Sequence, residues 1–293
     1  MVERNTLPVS LVIPTRDRPE LLRDTLDGVL RGECLPAQLV IADQSKHPVD
    51  DLPSNTLVRI HHLRLDSVGL SRARNAGIAV ADQPIVAFLD DDIVPETGWL
   101  RAIHDSLVDG GERSVVTGRV VAVDGHDGIV PSCSPWSEAA EFEGRQFADP
   151  LAPGNMAIRR TAFDELGTFD ELLGAGTRFP SSEDNDFGMR LLDAGYRIRL
   201  EPAAVGVHHG VRTGRDILRL DWGYGKGQGA FYAKHDQPGD RHTRARLRRN
   251  VRYRLRSMRR GLRGPDGAVH QAVYLVGMLT GYASWRFGPG ASE

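Results

Sequence analysis

Pro84-Ile85-Val86-Ala87-Phe88-Leu89 runs directly into Asp90-Asp91-Asp92, and few folds accommodate that junction. An apolar run of this length, opened by Pro, predicts a strand buried on both faces. Three adjacent carboxylates cannot continue into the core, because neighbouring anions repel and unpaired buried charge is costly. They fit the carboxyl end of a parallel sheet, where ligands of open α/β folds bind. Asp90 and Asp92 are two residues apart, so in an extended segment they share a side. Two hard oxygen donors on one side suit Mg²⁺ or Mn²⁺, above all a cation shared with a diphosphate. A solvated acidic turn ahead of Pro95 is the competing reading, and D-x-D alone does not decide between them.

The chain before this junction has the rhythm of a βαβ unit. Val9 to Pro14 predicts a first strand, followed by the polar loop Thr15-Arg16-Asp17-Arg18. Pro19 fits the first position of a helix whose apolar stripe is Leu22, Leu26, Val29 and Leu30, with Gly32 as a stop. Leu39 to Ala42 predicts the second strand, ending on Asp43, either a nucleoside contact or a turn residue. No G-x-G-x-x-G follows the first strand and no G-x-x-x-x-G-K-[ST] occurs, which argues against a dinucleotide fold and a P-loop. Val58 to Ile60 predicts a short strand. Ser71 reads as the N-cap of a helix carrying Arg72 and Arg74 in its first turn. Cations there oppose the helix dipole unless an anion, such as a diphosphate or a nearby carboxylate, offsets them. Beyond the acids, Trp99 opens a helix, Ser114 to Val123 reads as a strand, and 131–144 is irregular. Trp136 lies in that irregular stretch, as a sugar-stacking ring or a packing residue. Ser182, with Asp184 and Asp186 behind it, reads as a capped helix start.

Taken in order, Thr15-Arg16, Asp43, Gly69-Leu70-Ser71-x-Ala73-Arg74-Asn75 and Phe88-Leu89-Asp90-Asp91-Asp92 resemble the GT-A glycosyltransferases of family 2. The resemblance continues through Pro153-Gly154-Asn155-Met156-Ala157-Ile158, Phe163-x-x-x-Gly167-x-Phe169-Asp170 and Ser182-Glu183-Asp184-x-Asp186-Phe187-x-x-Arg190-Leu191. It covers about residues 9 to 210. It implies an α/β fold of the GT-A, Rossmann-like type, with a mostly parallel central sheet flanked by helices. It also implies sugar transfer from a nucleoside-diphosphate-sugar to an acceptor hydroxyl with inversion. By the same resemblance, Pro14, Thr15, Arg16, Asp43, Arg72, Arg74, Asn75, Asp90 and Asp91 bind the nucleotide-sugar. Asp92 and Asp90 hold Mn²⁺ or Mg²⁺, with His208, or else His209, completing the shell. Asp184 is the base with Glu183 beside it, and Gly154, Asn155 and Trp136 lie on the acceptor side. A positioned carboxylate at 184 can take the acceptor proton as the hydroxyl attacks, helped by a raised pKa.

The expected division is a catalytic domain over 1–212, with a nucleotide-sugar half to about 123 and an acceptor half from about 124. A helical C-terminal region over 213–293 follows. Gly223, Gly225, Gly227 and Gly229 alternate in the latter, compatible with close helix packing or with a mobile flap. From Arg241 to Arg263, Leu247, Val251, Leu255, Met258 and Leu262 form one apolar stripe on an otherwise cationic helix. Val269 to Trp285 is apolar but broken by Gly. The segment 241–287 therefore predicts attachment to an anionic membrane surface, or packing on the domain. A single aromatic residue, Tyr253, stands among the arginines rather than a stacking series, and the core reads as sugar chemistry, so nucleic acid is not expected as a partner. The formal net charge of −2 agrees. With 2 cysteines, Cys34 and Cys133, neither a disulfide framework nor a Cys-rich zinc site is available. Met1 to Pro8 contains no apolar signal core. The expected location is cytoplasmic, peripheral on the inner face of the cell membrane, with a glycan or lipid-linked acceptor. The alternative is a non-catalytic nucleotide-sugar or glycan-binding module at the membrane.

Overall fold

The runs expected as strands are strands, and the alternation of their side chains sorts them into two cores. The computed structural model describes residues 5–47, 49–50, 52–125, 127–134, 136–152, 154–259 and 267–288. The strands are β1 (Thr6–Thr15), β2 (Leu35–Asp43), β3 (Arg59–Arg64), β4 (Ile85–Leu89), β5 (Ile93–Pro95), β6 (Ser114–Ala122), β7 (Ala140–Phe142), β8 (Asn155–Arg159) and β9 (Arg197–His208). The helices are α1 (Pro19–Arg31), α2 (Leu70–Val80), α3 (Trp99–Asp109), α4 (Thr161–Leu166), α5 (Glu183–Asp193), α6 (Arg215–His235), α7 (Arg241–Arg259) and α8 (Ala268–Phe287).

One sheet joins the strands in the order β3-β2-β1-β4-β8-β6-β9-β5, with β7 against β9. β8 lies antiparallel between β4 and β6, so β1, β2, β3, β4, β6 and β9 all point one way. Their carboxyl ends place Thr15, Asp43, Asp90 and His208 along one edge of the sheet, where an open α/β sheet binds its ligand. Leu11, Ile13, Leu39, Ile41, Ala87 and Leu89 bury on one face, against Leu22 and Leu26 of α1 and Trp99 and Ile103 of α3. The alternate residues Val12, Val40, Val86 and Phe88 bury on the other face, against Ile78 of α2 and the rings of Phe163, Phe169 and Phe187. β4 is buried along its whole length, as its unbroken apolar run requires.

Two local expectations change, and one open alternative is decided. Ser71 lies inside α2, whose N-cap is Gly69, and its hydroxyl donates to Leu173 O at 2.6 Å. Gly69 holds φ 141°, which a side chain rarely adopts. Ser182 does precede α5, but at φ 69° and with no side-chain cap. The alternating glycines belong to a continuous helix, α6, and serve packing: a Cβ on Gly225 or Gly229 would strike the backbone of Tyr274 or Met278 on α8. Gly277 and Gly281 of α8 meet the backbone of Trp222 and Lys226 in return. Small residues four apart on both helices let the backbones touch. Leu247 and Val251 of α7 turn inward onto Tyr232, Tyr274 and Met278, while Leu255 is exposed. Pro153 of the acceptor-side motif lies outside the described residues, as do Leu262, Arg263 and the turn Gly264-Pro265-Asp266. Among the described residues, no helix is long and apolar enough to cross a membrane.

Candidate active site

A cavity of about 800 Å³ opens at the carboxyl edge of the sheet, and the strand-end acids and the 182–185 segment both line it. Arg74 joins the two. It projects from α2 one turn in from Leu70 and is buried, donating from Nη2 to Asp90 Oδ1 at 2.8 Å and from Nη1 to Glu183 Oε1 at 3.0 Å. The carboxylates that offset the Arg74 cation are thus Asp90 and Glu183. Arg72, two residues away, points out to solvent and pairs with Glu171 at 3.3 Å.

The three strand-end acids have different environments. Asp90 is the most open to water. Asp91 accepts from Thr15 Oγ1 at 2.7 Å and from Arg18 at 3.2 Å. Burial pushes its carboxyl up to about 6 against the pull of Arg18. Asp92 accepts from Arg18 at 2.8 Å and faces His208 Nε2 at 3.2 Å. Burial would raise Asp92, but the hydrogen bond and charge of His208, with Arg18, win and hold it below the ordinary carboxylate range. The reciprocal contact raises His208, against the effect of its own burial. His208 Nδ1 is 2.8 Å from Pro131 O, an acceptor, so Nδ1 carries the proton and Nε2 faces Asp92. A Cβ on Gly210 would sit 2.6 Å from both Asp92 Oδ2 and His208 Nε2, so glycine keeps the space beside this pair clear. Among the described residues, no three His, Cys, Asp or Glu side chains converge as a ready cage. The donor set is therefore Asp92 and His208 beside open space, with Asp90 tied to Arg74. That suits a cation completed by substrate oxygens and water rather than one enclosed by protein.

Asp184 is half-buried at the start of α5, where its carboxylate accepts from Asn185 N at 2.8 Å. Withdrawal from bulk water, then the negative charges of Glu183 and Asp149, raise its pKa above the usual range. Asp17, Ser132 and Ser182 are the non-glycine residues with left-handed φ among those described, and all three line this cavity. Strained backbone gathers where side chains are held for a task.

The other expected residues divide between the cavity wall and the scaffold behind it. Pro14, Thr15, Arg16, Gly154 and Trp136 line the cavity, the last with its ring 5.4 Å from Phe142. Asp43 sits behind the cavity wall. Its carboxylate accepts from Ser45 N at 2.8 Å and Val49 N at 3.3 Å, and meets His62 Nε2 at 2.9 Å. Its neighbour Gln44 reaches the cavity instead. Asn75 exchanges hydrogen bonds with the backbone of Phe169, at 2.9 and 3.0 Å. Asn155 is wholly buried, donating to Arg119 O and Ala204 O and accepting from Trp99 Nε1. Both asparagines fix the frame around the site. His209 is not among the lining residues, whereas His208 is. Sequence reasoning passed over Arg18, Asp149, Arg212, Tyr224, Arg254 and Tyr274, all of which line the cavity. Arg18 belongs to the loop already singled out, but nothing local marks the rest.

The fold and the cluster of acids at the carboxyl end of one strand define an α/β ligand site, and comparison with known proteins gives its family. The Glycosyl transferase family 2 model matches residues 10–167, and the chain belongs to that family. It is 29% identical over 237 residues to the pre-mycofactocin glycosyltransferase of Mycobacterium tuberculosis, covering 78% of this chain and 48% of that protein. It is 27% identical over 244 residues to glycosyltransferase AglE of Haloferax volcanii, covering 76% of this chain and 74% of that protein. The chain thus spans about half the length of its mycobacterial relative. The crystal structure of S. aureus TarS 1-349 shares the fold, with a TM-score of 0.54 at 14% identity over 96% of this chain and 92% of that one.

Proposed function

We propose that the chain is an inverting, metal-assisted glycosyltransferase. It would move a sugar from a nucleoside-diphosphate-sugar to an acceptor hydroxyl during synthesis of a cell-surface glycan or polysaccharide. The observation that carries this reading is the Arg74 bridge, which ties the acids at the end of β4 to the Glu183-Asp184 segment across one cavity. Pro14, Thr15, Arg16 and Gln44 line the nucleoside end. Asp43 supports that end from behind, through the loop that follows it. Arg18 and Arg212 supply positive charge where the diphosphate would lie. Asp92 and His208 would hold Mn²⁺ or Mg²⁺, with Asp90 alongside. Such a cation, when bound, offsets the charge that grows on the departing diphosphate.

Asp184 takes the proton from the acceptor hydroxyl as its oxygen attacks the anomeric carbon. The bond to the diphosphate breaks on the opposite face of the sugar. A single displacement needs one carboxylate base and no enzyme nucleophile, which gives inversion. Glu183, fixed by Arg74, sets the orientation of the segment that carries this base. Trp136 and Gly154 on one side and Tyr224 of α6 on the other bound the acceptor end. The acceptor is a glycan or a lipid-linked molecule, and the enzyme works at the cytoplasmic membrane face through its C-terminal helices. The arginines of α7 support this location.

A screen of nucleoside diphosphates with Mn²⁺ for thermal stabilisation, followed by a turnover assay with the matching sugar donor, tests the proposal. One diphosphate should stabilise the protein and its sugar conjugate should be consumed. Stabilisation without turnover would favour the non-catalytic binding module. Neither result would leave the proposal without support.

A further inference from the structure

α8 packs on the rest of the molecule with one side only. Gly277, Gly281 and Tyr274 meet α6, and Leu275, Met278 and Tyr282 join the cluster that holds Leu247 and Val251 of α7. The opposite side carries Val269 at 64% exposure, Val276 at 51%, Leu279 at 68% and Phe287 at 82%. At 100° per residue these four fall within a single stripe that runs the length of the helix, with exposed Ala283 between them. Thr280, on the same stripe, returns its hydroxyl proton to Val276 O at 2.8 Å, so the stripe offers water little in exchange for its apolar surface. Scattered exposed apolar residues need no explanation, but a continuous row of them marks a contact surface.

α7 packs against α8 and carries the positive charge of the pair. Leu247 and Val251 turn toward α8, which leaves Arg248, Arg252, Arg256 and Arg259 on the outward side, all exposed. None of the four has an ion-pair partner among the described residues, and neither α7 nor α8 contains an Asp or Glu. An unpaired cationic row beside an uncharged apolar row is complementary to a surface that is anionic at its rim and hydrocarbon beneath.

We infer that the outer face of the α7–α8 pair is a docking surface for an anionic lipid bilayer. The stripe on α8 enters the headgroup boundary and the α7 arginines contact lipid phosphates. This rests on the membrane location suggested above and goes beyond it by naming the face, where the sequence pointed to 241–287 as a whole. Leu247 and Val251 of the α7 stripe are used inside the protein, and α8 supplies the surface that meets lipid. Arg254 of α7 and Tyr274 of α8 also line the cavity, so the helix pair that meets the bilayer walls the site as well.

Co-sedimentation of the full chain with vesicles of equimolar phosphatidylglycerol and phosphatidylcholine, against phosphatidylcholine alone, tests this without any substrate. The chain should bind the anionic vesicles, and binding should fall as salt rises. R248Q/R252Q/R256Q should weaken it on the order of 100-fold. L279Q/F287Q should weaken it at least tenfold even at low salt. All five positions are exposed, and unchanged circular dichroism and melting temperature would verify that the variants fold. Equal binding to both vesicle types, or binding that either set of substitutions leaves intact, overturns the inference. So does self-association of the free chain that L279Q/F287Q abolishes, since the stripe would then belong to an interface between copies. Asp184→Asn should bind vesicles like the parent chain, which separates this result from that of the catalytic proposal.

Discussion

Arg74 is the side chain on which most of the site's electrostatics depend. It is buried, and its two carboxylate partners are 16 and 109 residues away in sequence. Arg74→Met would leave Glu183 and Asp90 facing each other without a cation. Removing one partner of a buried pair costs about 3 to 5 kcal/mol, so the urea midpoint should fall clearly while the transition stays cooperative. Asp184 gives a second residue-scale expectation. Its carboxyl is raised by burial and by the charges of Glu183 and Asp149. A raised folded-state pKa means that the native state holds its proton to higher pH than the unfolded chain does. The associated stability is full below the ordinary carboxylate range and is lost as pH climbs through the raised value. Asp184→Asn cannot ionise, so its melting temperature should match the parent's in acid and exceed it progressively as pH rises, by roughly 1 to 3 kcal/mol in stability terms. A constant difference across pH would contradict the raised pKa. Sequence made Asp90, Asp92, Arg74 and Asp184 legible because each sits at a marked place, a strand end or a helix start. It did not separate these from Asn75 and Asn155, whose amides are spent on the frame around the site. Nor did it separate Arg74 from Arg72, because the choice depends on which way a helix turn faces. Arg18 and Asp149 stayed hidden because their partners lie 73 to 97 residues away.

At the scale of elements, the C-terminal helices depend on glycine as much as on apolar residues. A Cβ on Gly281 would run into the carbonyl of Lys226, and backbone cannot move aside as a side chain can. Gly281→Ala should therefore destabilise the chain by about 1 to 3 kcal/mol, a fall in melting temperature on the order of 5 °C. Gly98→Ala, at a position with open space around it, should change it little. Equal effects would refute the packing account. The density of glycine in 223–229 was visible in sequence, yet its meaning was not. Glycine lowers helix propensity, and only the partner helix shows what is gained in return. Asp186 shows the same limit. It reads as a dipole complement in the first turn of α5, but it also anchors α6, meeting Lys234 at 2.7 Å and His235 at 2.9 Å. The strands were easier to foresee, since burial on both faces leaves an unbroken apolar run. β5 and β7, three residues each, are too short to carry any period.

At the scale of the molecule, the family's matched region ends at residue 167, yet the cavity is completed well beyond it. Leu220 and Tyr224 of α6, Arg254 of α7 and Tyr274 of α8 form its far wall, with the Arg254 guanidinium 3.7 Å above the Tyr274 ring. If this wall receives the acceptor, Arg254→Gln should raise the acceptor KM by about tenfold and leave donor affinity unchanged. A change in donor affinity instead would move that wall to the donor's side. Beneath these expectations lies one claim: the donor rests against Asp90, Asp91 and Asp92 while Asp184 waits across the same cavity to accept a proton. Donor affinity by calorimetry and sugar transfer by product formation, measured together on Asp184→Asn, test it most directly. Donor binding should stay within about threefold of the parent's while transfer falls by about 100-fold to 10,000-fold. Transfer at the parent's rate, or loss of donor binding in step with activity, would contradict it.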